Sequence, residues 1–157
     1  MKHFIKILTV ILLFSLLSCA SHTVTFFSGE FEAEVRYTLS GKEFRAVYSK
    51  SESSERLEIF EPASLSGLVV KRNDGEVTLS FSDLAYPTAT DGIFKPFELF
   101  AKCEAAKTEE NTYRTASGNV TVITDESGCP VSVSGAIDGR EYKIEIISFS
   151  QKGELQE

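Results

Sequence analysis

Residues 29–39 read GEFEAEVRYTL. Phe31, Ala33, Val35, Tyr37 and Leu39 fall on one parity, and Glu30, Glu32, Glu34, Arg36 and Thr38 on the other. A period of two sends successive side chains to opposite faces of a strand, so this segment is a strand with one buried and one wet face. Ser40-Gly41 supplies a turn, and Lys42–Tyr48 continues the alternation with Phe44, Ala46 and Tyr48. The two segments read as a hairpin.

The same grammar extends along the chain. Arg56–Phe60 is a strand that ends at Pro62, which has no amide hydrogen for a ladder. Leu68–Arg72 and Glu76–Phe81 flank Asn73-Asp74-Gly75, where Asp-Gly favours the positive φ angles of a tight hairpin turn. The period then changes: Ile93, Pro96, Phe97, Phe100 and Cys103 lie at helical spacing, with Asp91 as a cap, and predict one amphipathic helix over about 94–106. Tyr113–Ala116, Asn119–Thr124, Pro130–Ile137 and Arg140–Phe149 return to strand pattern between Ser-Gly, Asp-rich and Asp-Gly turns. In the last of these Ile147 and Phe149 fall on the parity opposite to Tyr142, Ile144 and Ile146, which predicts a bulge or a strand covered on both faces. The expectation is mainly β: about nine strands in a curved, unclosed antiparallel sheet, its concave face covered by the single helix.

The N-terminus carries an address. Lys2 and Lys6 precede an apolar run, Ile7–Leu17, of about 11 residues, well short of the ~20 that span a bilayer as a helix. The run closes on Leu16-Leu17-Ser18-Cys19, which resembles the lipobox of bacterial lipoproteins. The resemblance implies removal of residues 1–18 and a diacylglyceryl group on the Cys19 thiol, further acylation such as palmitate, and retention in the cell envelope on the extracytoplasmic side of a membrane. An ordinary secretory signal cut after Ala20, or an uncleaved apolar anchor, are the other readings of the same residues. Residues 19–28 then form a lipidated tether, 29–149 one β-rich domain, and 150–157 a polar tail.

Charge and cysteine content narrow the chemistry. Without residues 1–18 the chain has 14 basic against 23 acidic residues, a formal charge of -9. That excludes nucleic acid as a partner and a polybasic grip on anionic lipid. Of three cysteines, Cys103 and Cys129 remain if Cys19 carries lipid, either bridged or as two separate thiols. A bridge would close a loop of about 26 residues and stabilise by about 3.5 kcal/mol in the chain-entropy model. After processing His22 is the sole histidine, too few ligands for zinc and too near the anchor for a catalytic base, so no metal, cofactor or catalytic residue is expected. Glu30, Glu32 and Glu34 belong to the wet strand face, where no pocket excludes water.

From residue 27 to residue 86 the order is FSGEFEAEV, a second strand, a strand running into IFEP, the connector PASLSGL, and a hairpin around NDGE. This is similar to the LolA/LolB/LppX family of lipoprotein carriers. The resemblance implies an unclosed, curved sheet plugged by helix, with acyl chains held on its concave side. Phe31, Tyr37, Phe44, Tyr48, Phe81, Phe97 and Phe100 stand on inward parities and would line an apolar cleft there, unless they merely fill a core. The function expected is therefore a non-enzymatic, membrane-anchored envelope lipoprotein that takes a lipid or acyl chain. A structural module that docks an envelope protein partner is the alternative.

Overall fold

The computed structural model describes residues 22–26, 29–88, 92–115, 119–137 and 139–152. Two strand meanders make up the sheet. The first runs β2 (Glu30–Leu39), β3 (Lys42–Lys50), β4 (Ser54–Glu61), β5 (Leu68–Asn73), β6 (Glu76–Phe81) and β7 (Leu84–Thr88). After helix α1 (Lys95–Ala101) the second follows as β8 (Lys102–Glu109), β9 (Thr112–Thr115), β10 (Val120–Thr124), β11 (Pro130–Ile137) and β12 (Arg140–Lys152). β12 pairs with β2 and so joins the meanders, while β1 (His22–Thr25) adds to β8 at one edge. The order is β1-β8-β9-β10-β11-β12-β2-β3-β4-β5-β6-β7, antiparallel throughout and unclosed, with β1 and β7 as edges.

Alternation in the sequence becomes alternation in burial. Along β2, Phe31, Ala33, Val35 and Tyr37 are buried while the residues between them are partly or fully exposed. Ser40 and Asp74 have φ of 49° and 47°, followed by Gly41 and Gly75 at 77° and 85°. Two successive positive φ values match the right-handed twist of hairpin strands, which is why Ser-Gly and Asp-Gly occupy these turns. The outer face is a lattice of cross-strand ion pairs: Arg36 to Glu145 (3.0 Å) and Glu43 (3.5 Å), and Arg45 to Glu61 (3.1 Å) and Glu34. Pairs this exposed contribute ~0–1 kcal/mol each and chiefly keep the face soluble. The bulge is where parity predicted it: register shifts between Ile146 and Ser148, Ile147 turns out to solvent, and Phe149 re-enters opposite Ala33.

Several expectations are corrected. Among the described residues twelve strands form, not about nine, because β1, β7 and β8 join the nine expected. Residues 22–25 of the expected tether are β1, and the supposed loose tail contributes Ser150, Gln151 and Lys152 to β12, paired with Glu32, Phe31 and Glu30. The predicted 94–106 helix is only Lys95–Ala101. Its second half is the start of β8, where pairing with β1 and β9 overrides the helix propensity of Lys102-Cys-Glu-Ala-Ala-Lys107. β7 contains Pro87, tolerable because β7 is an edge.

The Cys103–Cys129 bridge does not form: Cys129 is a free thiol. Asp125 N donates to Cys129 O and Thr124 N to Asn111 O, which puts Cys129 beside the β8–β9 turn. Cys103 lies six residues back along β8 from Glu109, about 20 Å at strand rise, whereas bridged Cα atoms lie within ~7 Å. Residues 1–21, with the signal segment and Cys19, lie outside the described residues, as do Asp91 and the side chain of Phe100. Among the described residues no helix is long and apolar enough to cross a membrane, and no cluster of three metal-ligating side chains occurs.

Candidate functional site

The inner face is where the chain places its unusual side chains. Register sets Tyr37 opposite Phe44, Tyr48 opposite Leu57 and Val70 opposite Leu79, all inward. Helix α1 lowers Phe97 onto this floor. Its ring stacks on Tyr48 (centroids 4.4 Å, 28°) and meets Tyr37 edge-on (5.5 Å, 71°). Phe31 packs against Tyr48 at 5.7 Å and Phe149 at 5.5 Å. Phe94, at the start of the helix, is fully buried as well. Of the two readings of the aromatic set, Phe31, Tyr37, Tyr48 and Phe97 are therefore filled core beneath the helix. Phe44 is half-buried at its margin, and Phe81, on β6 next to the edge strand, keeps the inward register and is 46% exposed.

Among the described residues, Glu55 is the charged side chain buried in this apolar face. Glu55 continues the inward parity of Leu57 and Ile59 on β4, and its register partner on β5 is Arg72. Glu55 is only 6% exposed. It accepts from Tyr48 Oη (2.7 Å) and from Arg72 Nε (2.5 Å) and a second Arg72 nitrogen, with Lys50 Nζ at 3.8 Å. Arg72 also reaches Glu98 on α1 (2.7 Å) and lies over the Phe94 ring (5.1 Å). Burial pulls the Arg72 guanidinium down, but the hydrogen bonds of Glu98 and Glu55 outweigh it and hold it above its ordinary value. Burial first, and the Glu55 hydrogen bond second, push the Tyr48 phenol far up. The cluster is a charge-paired bolt between sheet and helix, and each carboxylate in it is already engaged.

Two further phenols have less company. Burial pushes Tyr37 up to about 12; burial and then the neighbouring Tyr37 push Tyr142 up to about 12. Both remain protonated at any physiological pH. Two open depressions flank the floor. One, about 310 Å³, lies over the β3–β4 and β5–β6 turns and is lined by Lys50, Ser51, Glu52, Ser54, Glu55, Arg72 and Asp74 among others. The other, about 380 Å³, is lined by Asn119, Ser134, Gly135, Ala136, Glu141 and Tyr142. Gly135 has no alternative there, since a Cβ would collide with the Asn119 carbonyl oxygen.

The cover is smaller than the face. Leu39, Phe44 and Leu79 are partly buried, and Phe81, Leu84 and Tyr86 are 46–58% exposed on the same inward register of β6 and β7. Sequence reasoning missed Glu55, Arg72, Phe94 and Tyr142. The signal for the first two was present: opposite charges on the inward parities of facing strands.

No protein-family model matches the chain, and neither does any curated protein. Solved structures do. A LolA superfamily protein from Nitrosomonas europaea superposes with a TM-score of 0.53 at 11% identity, over 83% of this chain and 89% of that one. The fold is LolA-like. An uncharacterized conserved protein from Thermus thermophilus superposes equally well, with a TM-score of 0.52, 13% identity and 82% of each chain covered. The LolA-like sheet expected from residues 27–86 thus extends across both meanders of this chain.

Proposed function

We propose that the protein is a lipoprotein of the bacterial cell envelope, held on the extracytoplasmic side of a membrane by a diacylglyceryl group on Cys19. On this reading it binds an acyl chain against the concave face of its sheet and catalyses no reaction. The observation that carries the proposal is the mismatch just described: an apolar concave face larger than the helix that covers it, in a LolA-like sheet. Apolar area taken from water contributes ~25 cal/mol per Å², so a chain laid along the uncovered margin gains free energy without unpacking the core. Two acyl chains on Cys19 would hold the module stably where one holds marginally.

The test has two arms. Full-length protein expressed in a bacterium is extracted into polymer-bounded native membrane discs. Mass spectrometry of its N-terminal peptide should show a diacylglyceryl Cys19, and Cys19→Ser should move the chain from the membrane to the soluble fraction. Native mass spectrometry of the extracted protein should show bound acyl lipid, displaced by added methyl palmitate. An unmodified Cys19 on a freely soluble chain refutes the anchor, and absence of any acyl ligand refutes the carrier role.

One observation favours a second reading. β7 is an edge whose Leu84 and Tyr86, with Phe81, stand exposed together. Such an edge suits a protein partner that adds a strand. A partner lost on Leu84→Lys, with no lipid bound, would support that reading over the first.

A further inference from the structure

Tyr142 is on the inward register of β12, opposite Gly135 on β11 and Leu39 on β2. It is 4% exposed, and its hydroxyl has no hydrogen-bond partner among the described residues. A buried hydroxyl left unpaired costs ~1–3 kcal/mol, so phenylalanine would serve a core better at this position. The same face shows how the chain satisfies a buried phenol when structure alone requires it, because Tyr48 has Glu55 at 2.7 Å. Beside Tyr142 the apolar surface is incompletely covered. Leu39, directly opposite, and Phe44, packed edge-on against Tyr37 at 5.2 Å, are both half-buried.

We propose that Tyr142 is the polar anchor of the bound acyl ligand. Its hydroxyl donates to the carbonyl oxygen of a neutral acyl ester whose chain lies along Leu39 and Phe44. The inference rests on the acyl-binding reading and adds the functional group recognised. An ester fits better than a fatty-acid anion for a definite reason. The charged neighbours that flank Tyr142 on β12, Glu141 and Lys143, occupy the outward register, and Arg36 on β2 reaches outward to Glu145 and Glu43; Lys42, opposite Leu39, and Arg140, two residues before Tyr142, share the inward register but are exposed to water. A carboxylate brought to Tyr142 would be a buried charge with Lys42 and Arg140 held out in water, whereas a carbonyl needs only a donor. The phenol, held protonated by burial, supplies that donor at every physiological pH.

The test compares the full-length protein with its Tyr142→Phe variant against three probes delivered from cyclodextrin: methyl palmitate, palmitate and hexadecane. The wild type should bind methyl palmitate more tightly than either of the others. Tyr142→Phe should weaken methyl palmitate about 5–20-fold, the worth of one neutral hydrogen bond, and leave hexadecane unchanged. With carbonyl-labelled methyl palmitate, the infrared carbonyl stretch should move to lower frequency on binding to the wild type and not on binding to the variant. Equal weakening of ester and hydrocarbon would make Tyr142 a packing residue. Unchanged ester affinity, or no infrared shift in the wild type, would mean that the hydroxyl is satisfied elsewhere. Tighter binding of palmitate than of its ester would overturn the choice of ligand. Each of these leaves acyl binding itself intact, whereas a wild type that binds none of the three removes that reading and this inference together.

Discussion

Replacing Arg72 by methionine keeps most of the side-chain volume and removes the cation from the Tyr48–Glu55–Arg72–Glu98 cluster. Three losses compete. The contact with Glu98, which is 46% exposed, is worth ~0–1 kcal/mol, and the guanidinium over Phe94 another ~0.5–1. Glu55 is the larger matter, because it stays in the interior with only Tyr48 Oη at 2.7 Å and Lys50 at 3.8 Å. Breaking a buried pair by removing one partner costs ~3–5 kcal/mol. Since the Arg72 side chain is 19% exposed and water reaches that end, the lower part of the range applies, and Arg72→Met should lose about 3 kcal/mol. Glu55→Gln in the same background removes the stranded charge and should restore about 1.5–3 kcal/mol, so the two substitutions are strongly non-additive. Glu98→Ala should cost under ~1 kcal/mol alone. Urea unfolding at pH 7, with all four chains sharing one m value, measures the cycle. The coupling should persist in 1 M salt, which screens surface pairs far more than buried ones. An additive cycle, or an Arg72→Met loss below ~1 kcal/mol, would show that the cluster does not bolt the helix to the sheet.

Three further outcomes follow from the same geometry. Phe97→Ala removes a fully buried ring that contacts Tyr48 and Tyr37, and should cost ~3–5 kcal/mol by urea unfolding; a loss below ~1.5 would mean the helix is not seated on the floor. Tyr37 and Tyr142 keep their protons to about pH 12 when folded but release them near 10 when unfolded, so above pH 10 the unfolded chain binds fewer protons and stability falls with rising pH. By pH 12 each tyrosine should account for roughly 2–3 kcal/mol, and Tyr142→Phe should visibly flatten the alkaline limb of a pH–stability profile. Because Cys129 is a free thiol, dithiothreitol should leave the melting temperature unchanged, whereas a Cys103–Cys129 bridge would show as a drop of several degrees.

What could be read in advance was whatever depends on a strand's own two-fold period. β2 and β3 carry an unbroken alternation, and their hairpin, the turn at Asp74-Gly75 and the bulge at Ile147 all follow from local rules. Where the pattern belongs to a partner strand, local reading fails. β8 has helix-forming residues, and only its place between β1 and β9 makes it extended. β1 and β7 are short edges with one neighbour each, so little selects their composition. The candidate site was legible as an aromatic inner face, not in its polar detail. Tyr142 looks like any inward tyrosine until the register shows that no acceptor stands opposite it.

The joint between the two meanders has an implication for how the chain reaches its native state. Within each meander neighbours in space are neighbours in sequence, and such hairpins form early and locally. The β12–β2 seam is of another kind: Arg36 and Glu145, bonded across it, are separated by 109 residues. Until β12 arrives, β2 and β11 each present an unpaired flank, two sticky borders on half-built wings. Maturation therefore waits on the last strand, and a chain arrested before residue 140 would be two ribbons open to pairing with foreign strands.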